Sequence, residues 1–168
     1  SFQQTYWVED YTKDLNFPCA ITWLPNLDLL VTERLGKIKL IRKGIVVSEI
    51  QGVPEVMVSS PFDGLLDIKL DPDFETQPYI YLSYTKGTTT ERVGVIYRAK
   101  IKDNKLVEGK EIFNTSPPAP TGGPNITRIN FLSDKSLVAA IGSSGQHAYG
   151  MVQRLDGDIG KIIRIYRD

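Results

Sequence analysis

Apolar and polar positions alternate along this chain in short runs, broken by Pro, Asn, Asp and Gly, and one arrangement occurs three times. In the stretch 62–84, apolar residues ending Ile68-Lys69-Leu70 meet a turn at Asp71-Pro72-Asp73, and Tyr79-Ile80-Tyr81-Leu82-Ser83-Tyr84 follows Pro78. Pro72 presets a turn φ and lacks a donor, and the runs on either side are β-branched and aromatic, so the pattern predicts a hairpin. The same device occurs upstream, where Ile21-Thr22-Trp23-Leu24-Pro25-Asn26 precedes Leu29-Leu30-Val31-Thr32-Glu33. It occurs downstream as Ile129-Asn130-Phe131-Leu132-Ser133-Asp134 before Leu137-Val138-Ala139-Ala140-Ile141. The second strand of each copy is nearly continuous in apolar residues, as expected of a strand covered on both faces. An amphipathic strand follows each: Lys37 to Ile41, Val95 to Ile101 and Lys161 to Ile165.

Three antiparallel units, at about 17–50, 62–113 and 126–168, predict an all-β fold, a β-propeller of four-stranded blades in which Trp23, Leu70 and Phe131 are equivalent. A β-sandwich is the alternative. At about 45 residues per blade, 168 residues supply about three blades, whereas closed propellers have roughly four to eight. The expectation is therefore a partial propeller that is either a fragment or completed by another copy.

Outside the repeats, residues Ser1 to Asn16 are expected to form an edge strand and lead-in around Tyr6, Trp7 and Val8, and Glu111 to Asn114 a separate short strand. Four prolines and two glycines in Thr115 to Asn125 exclude regular structure and suggest a functional loop. A second Gly-rich loop spans Gly142 to Gly150, and Met151 to Leu155 could form one turn of helix.

Twenty basic and twenty acidic residues cancel and are scattered, so no footprint for nucleic acid is visible. No apolar run is long enough for a membrane span. Cys19, the single cysteine, is expected to be a small apolar filler, not a reactive thiol. The chain opens without an export segment, which implies either a leader already removed or none. Asp67, Asp71 and Asp73 lack the glycine and downstream glutamate of a calcium loop and are read as turn caps; no metal site is assigned. Trp23, Phe62 and the tyrosines of 79–84 are expected in the core.

Taken in order, Trp23-Leu24-Pro25, Leu29 to Arg34, Gly36-Lys37-Ile38, Gly64-Leu65-Leu66-Asp67-Ile68, Asp71-Pro72-Asp73-Phe74, Tyr79 to Tyr84 and Gly160 to Ile165 resemble the soluble quinoprotein glucose/sorbosone dehydrogenase family, along the N-terminal half of its domain. The resemblance implies a six-bladed propeller, oxidation of a sugar or related alcohol, pyrroloquinoline quinone (PQQ) and calcium as cofactors, and a periplasmic or extracellular setting. It also shows departures. Phe62 stands where the family has a cofactor-contacting Gln, and Pro124 stands where it has the catalytic His, in a stretch Pro124-Asn125-Ile126-Thr127-Arg128-Ile129 of which only Arg128 matches. Proline cannot accept a proton, a step worth typically 10² to 10⁴ in rate. By resemblance Phe62, Asp63, Arg128, Ser144 and Gln146 are the cofactor-binding candidates, and His147, the only histidine, is the candidate base; for Arg128 the competing expectation is a cross-strand pair with an acid. A related enzyme with a lost base, a non-catalytic binding module, and a structural subunit that completes its ring with another chain all remain open.

Overall fold

A computed structural model describes residues 5–120, 122–143 and 149–167, with only the backbone at position 149. Three antiparallel sheets follow one another along the chain. The first blade contains β1 (Pro18–Trp23), β2 (Leu29–Glu33), β3 (Lys37–Arg42) and β4 (Ile45–Glu49), hydrogen-bonded in that order. The second contains β5 (Leu65–Leu70), β6 (Tyr79–Gly87), β7 (Arg92–Lys102) and β8 (Lys105–Asn114). The third has, among the described residues, three strands, β9 (Asn125–Phe131), β10 (Leu137–Gly142) and β11 (Lys161–Ile165), with the short helix α1 (Tyr149–Val152) before β11. Strands β1, β5 and β9 are neighbours across the sheets, so they form the inner edge about which the blades fan. Trp23, Leu70 and Phe131 each end one of these inner strands.

Side-chain alternation explains why the second strand of each unit is so apolar. In β6, Ile80, Leu82 and Tyr84 join the core between the first two blades, with Leu30, Ile38, Leu65 and Ile68. The intervening Tyr81 points the other way, into a second core with Ile96, Ile126, Ile129, Leu137 and Ile141. A strand between two packed faces needs apolar groups at both parities.

The edge strand expected within Ser1 to Asn16 does not form over residues 5–15, which carry no strand; residues 1–4 lie outside the description. Asp14 and Phe17 have φ of 63° and 50°, which interrupts any extended run. The segment lies across the outer face of the first blade instead, where Leu15 packs on Leu29, Val31 and Ile41. Trp23 is on that face too and is 48% exposed, met edge-on by Tyr11 at 6.1 Å. It is therefore not a core residue, because no other described blade covers that side. Phe62 is likewise exposed, on a loop, whereas Tyr81 and Tyr84 are buried as expected. Glu111 to Asn114 is not a strand of its own: it continues β8, which stays paired to β7 through two bulges.

Of the three aspartates read as turn caps, Asp71 behaves so, its Oδ1 accepting the Asp73 amide at 2.8 Å. Asp67 is buried in β5 and accepts from Ile68 and, across to the third blade, from Ile129. Asp73 is held by cations, Lys135 at 2.7 Å and Arg167 at 2.7 Å.

Candidate functional site

The three inner strands begin on the same side, and there a cleft of about 600 Å³ opens. Pro18 and Cys19 come from β1, Leu66 from β5, and Asn125, Thr127 and Arg128 from β9. Arg34 enters from the β2–β3 turn, Phe62 from the loop before β5, and Ser143 from the residue after β10.

Local backbone geometry sets this wall. Arg34 accepts the Leu65 amide through its carbonyl at 2.9 Å, and its Nη1 donates to the carbonyls of Ser60 at 2.8 Å and Asp63 at 3.2 Å. The turn and the loop are thereby tied together. That approach requires glycine at position 64, where φ is 121° and a Cβ would overlap the Arg34 carbonyl oxygen.

Among the described residues, the cations of the cleft are Arg34 and Arg128. Arg128 is exposed, and its Nη1 donates to the neighbouring Thr127 carbonyl at 2.7 Å. The expected cross-strand acid is missing because the register sets Arg128 opposite Ala140. Among the described residues, no carboxylate lines the cleft. Among the described residues Arg128 forms no ion pair, and its exposed guanidinium is a ready partner for an anion.

The cofactor-binding candidates separate in space. Phe62 and Arg128 share the cleft. Asp63 lies beneath it, fully buried, accepting from Ser59 Oγ at 2.9 Å and 3.5 Å from Arg92 Nη2, which also donates to Ser59. Arg92 is itself buried, and its backbone pairs with Ala119 of the Pro-rich loop. Asp63 and Arg92 thus brace the two loops beside the cleft without reaching its surface. Ser144, Gln146 and His147 lie outside the described residues.

Sequence reasoning gave no site role to three groups found here. Asn125 is 4% exposed yet lines the cleft, and its Oδ1 is sealed from water with no donor. Arg34 had a signal, since it belongs to the matched stretch ending Thr32-Glu33-Arg34. Cys19 is half-buried, and burial pushes its thiol above the ordinary value, although Arg34 and Arg128 pull the other way. Pro124, the residue that the sequence resemblance sets at the family base, is buried at the entry to β9.

A larger hollow, about 710 Å³, lies at the far end of the first blade around Tyr11, Trp23, Asp28 and Arg42. Its arginine is already neutralised by Asp28 at 2.6 Å, so the cleft of the inner strands is the stronger ligand site. The residues of that cleft offer a planar anion two guanidinium groups and, among those described, no opposing acid. They do not fit calcium. Among the described residues no three of His, Cys, Asp and Glu come together.

The Glucose / Sorbosone dehydrogenase family profile matches residues 15–168. The aldose sugar dehydrogenase YliI of Escherichia coli is 30% identical over 163 residues, which are 94% of this chain and 43% of that protein. A glucose dehydrogenase crystal structure superposes with a TM-score of 0.85 at 27% identity, covering 93% of this chain and 46% of that one. The PQQ-bound aldose sugar dehydrogenase of Streptomyces coelicolor gives a TM-score of 0.76 at 28% identity, covering 94% and 46%. The chain spans less than half the length of these relatives. With three fanned antiparallel sheets and a profile match over nearly all of its residues, it belongs to the glucose/sorbosone dehydrogenase family.

Proposed function

We propose that the cleft at the start of β1, β5 and β9 binds a PQQ-type quinone, in a protein related to the oxidation of sugars or similar alcohols, and that this chain contributes binding without the proton-accepting base. The observation that carries the proposal is the pairing of Arg34 and Arg128 in a lining with no carboxylate among the described residues. A guanidinium facing a carboxylate forms short, charge-assisted hydrogen bonds, and the planar fork suits a planar anion. The PQQ-bound relative supports the identity of the ligand. When bound, the quinone would supply a two-electron acceptor.

The remaining roles fall to the protein. Arg128 attracts and orients a carboxylate; Arg34 does the same while its other bonds keep the 60–63 loop in place. Phe62 offers an apolar ring in the position where the resemblance implies an amide. Pro124 has no titratable group, so proton removal from a sugar hydroxyl has no acceptor at that position. Calcium, which the resemblance also implies, finds no ligand set among the described residues.

A non-catalytic binding module is the second reading, and the Pro124 position favours it. The exposed apolar residues Ile21 and Trp23 of the first blade and Ile162 of the third support coverage by further blades of a family-length domain. A periplasmic or extracellular setting follows from the family resemblance.

Equilibrium titration with oxidised PQQ, followed by quenching of tryptophan fluorescence, tests the cofactor reading; adding glucose and an artificial electron acceptor tests the missing base. Saturable one-to-one binding without sugar-dependent dye reduction is expected. Failure to retain the quinone overturns the cofactor assignment, and sugar-dependent turnover overturns the loss of the base.

A further inference from the structure

Phe17 stands immediately before β1 with φ of 50°. A bulky side chain rarely adopts the left-handed region, and the following Pro18 pushes its predecessor toward extended backbone, so this conformation is unfavourable on two counts. Bonds on both sides hold it: the Asn16 amide donates to Glu33 Oε1 at 2.7 Å, and the Phe17 carbonyl accepts the Arg34 amide at 2.9 Å. The strained backbone sets the place of the ring. That ring is 58% exposed, so it adds little to a core, and the Arg34 guanidinium lies over it, 5.2 Å from the centroid. Strained residues over-determined by their surroundings cluster at ligand sites.

Resting on the cofactor reading above, we infer that Phe17 is a positioning residue, whose ring holds the Arg34 guanidinium ready for the anionic ligand of the cleft although it is not itself part of the cleft lining. Three contacts fix that guanidinium. Its Nη1 donates to the carbonyls of Ser60 and Asp63, and the ring restrains the planar group through cation–π attraction. Among the described residues, Nε and Nη2 have no hydrogen-bond partner, and neither is sealed from water. A ring, unlike a carboxylate, restrains the cation without neutralising it, so the charge stays open to an anion. A free arginine loses rotamer freedom when it takes a ligand; one already restrained loses less, and affinity rises accordingly.

The test compares PQQ dissociation constants and urea midpoints of the wild-type chain with those of Phe17→Leu, Phe17→Gly and Phe17→Tyr. Leucine and glycine remove the ring, and affinity should fall about three- to tenfold in both; tyrosine keeps a ring and should retain wild-type affinity. Glycine also accepts φ of 50° without strain, so Phe17→Gly should unfold at a urea concentration no lower than the wild type while binding PQQ more weakly. A Phe17→Gly that unfolds earlier, or does not fold, assigns the ring to the fold and overturns the inference. Wild-type affinity in Phe17→Gly overturns it too and leaves the cofactor reading intact, as does a loss in Phe17→Tyr equal to that in Phe17→Leu. Should Phe17→Leu fail to fold, Phe17→Gly decides alone. A wild type that binds no PQQ removes the cofactor reading and the inference with it.

Discussion

The carboxylate of Asp67 in β5 accepts the backbone amide of Ile129 in β9 at 2.8 Å, joining the inner strands of two blades through a side chain instead of a sheet ladder. Both residues are buried. The other carboxylate oxygen takes the Ile68 amide. Beside it, the Ser83 hydroxyl accepts the Asp67 amide at 3.1 Å and donates to the Ile126 carbonyl at 2.7 Å. Two blades are thus fastened at the axis by one carboxylate and one hydroxyl.

Removing that fastening should be expensive. Asp67→Ala leaves the Ile129 amide buried without a partner, a loss of about 1–3 kcal/mol. Each kcal/mol moves the midpoint of a domain this size by roughly 2–4 °C, so thermal unfolding followed by circular dichroism should shift down by several degrees. An unchanged midpoint would show that water or a neighbouring group replaces the carboxylate.

Arg128→Ala should separate binding from folding. The side chain is exposed and bonds to an adjacent carbonyl, so the melting temperature should be unaltered. Loss of one charge-assisted contact, about 1.5–3 kcal/mol, should weaken PQQ binding roughly ten- to hundredfold. Equal affinity of variant and wild type in fluorescence titration would remove Arg128 from the site.

Cys19 provides a reporter inside the cleft. Burial raises its thiol pKa, so the neutral form persists to higher pH than in a free thiol. Alkylation by iodoacetamide should be slow at neutral pH, with a rate midpoint above the ordinary value near about 8.5. Saturating PQQ should slow it further. An alkylation rate unaffected by PQQ would place the quinone elsewhere.

The loop that carries Phe62 depends on Gly64. With φ of 121° and the Arg34 carbonyl oxygen occupying the space a Cβ would need, Gly64→Ala should destabilise the fold by about 2 kcal/mol or more, read as a lower urea midpoint. Wild-type stability in this variant would show that the turn and loop part easily.

Acid should loosen the seam between the second and third blades. Hydrogen bonds from Lys135 and then Arg167 hold the Asp73 carboxyl below its ordinary range. A group whose folded pKa is lowered contributes above its unfolded pKa, and the contribution fades as pH falls through the folded value. The melting difference between wild type and Asp73→Asn should therefore be present at pH 6 and shrink below about pH 4. A difference independent of pH across that range would show that the ion pairs add nothing.

How far the sequence reaches is clearest at particular residues. Leu30 and Tyr81 sit in short, nearly continuous apolar runs whose β-branched and aromatic residues and flanking turn residues mark them as β before any fold is known, because strand geometry and turn chemistry act over a few neighbouring positions. The threefold recurrence of that pattern therefore determined the blades, and the order of the matched stretches determined the family. Tertiary structure decided the rest. Whether Trp23 is core or surface depends on what covers the outer face of the first blade. Whether Arg128 finds an acid depends on the register that puts Ala140 opposite it. Asp63 and Phe62 are adjacent in sequence, yet one is sealed beneath the cleft and the other faces it, because burial and charge pairing arise from contacts between residues far apart in the chain, whose spacing carries no local signature.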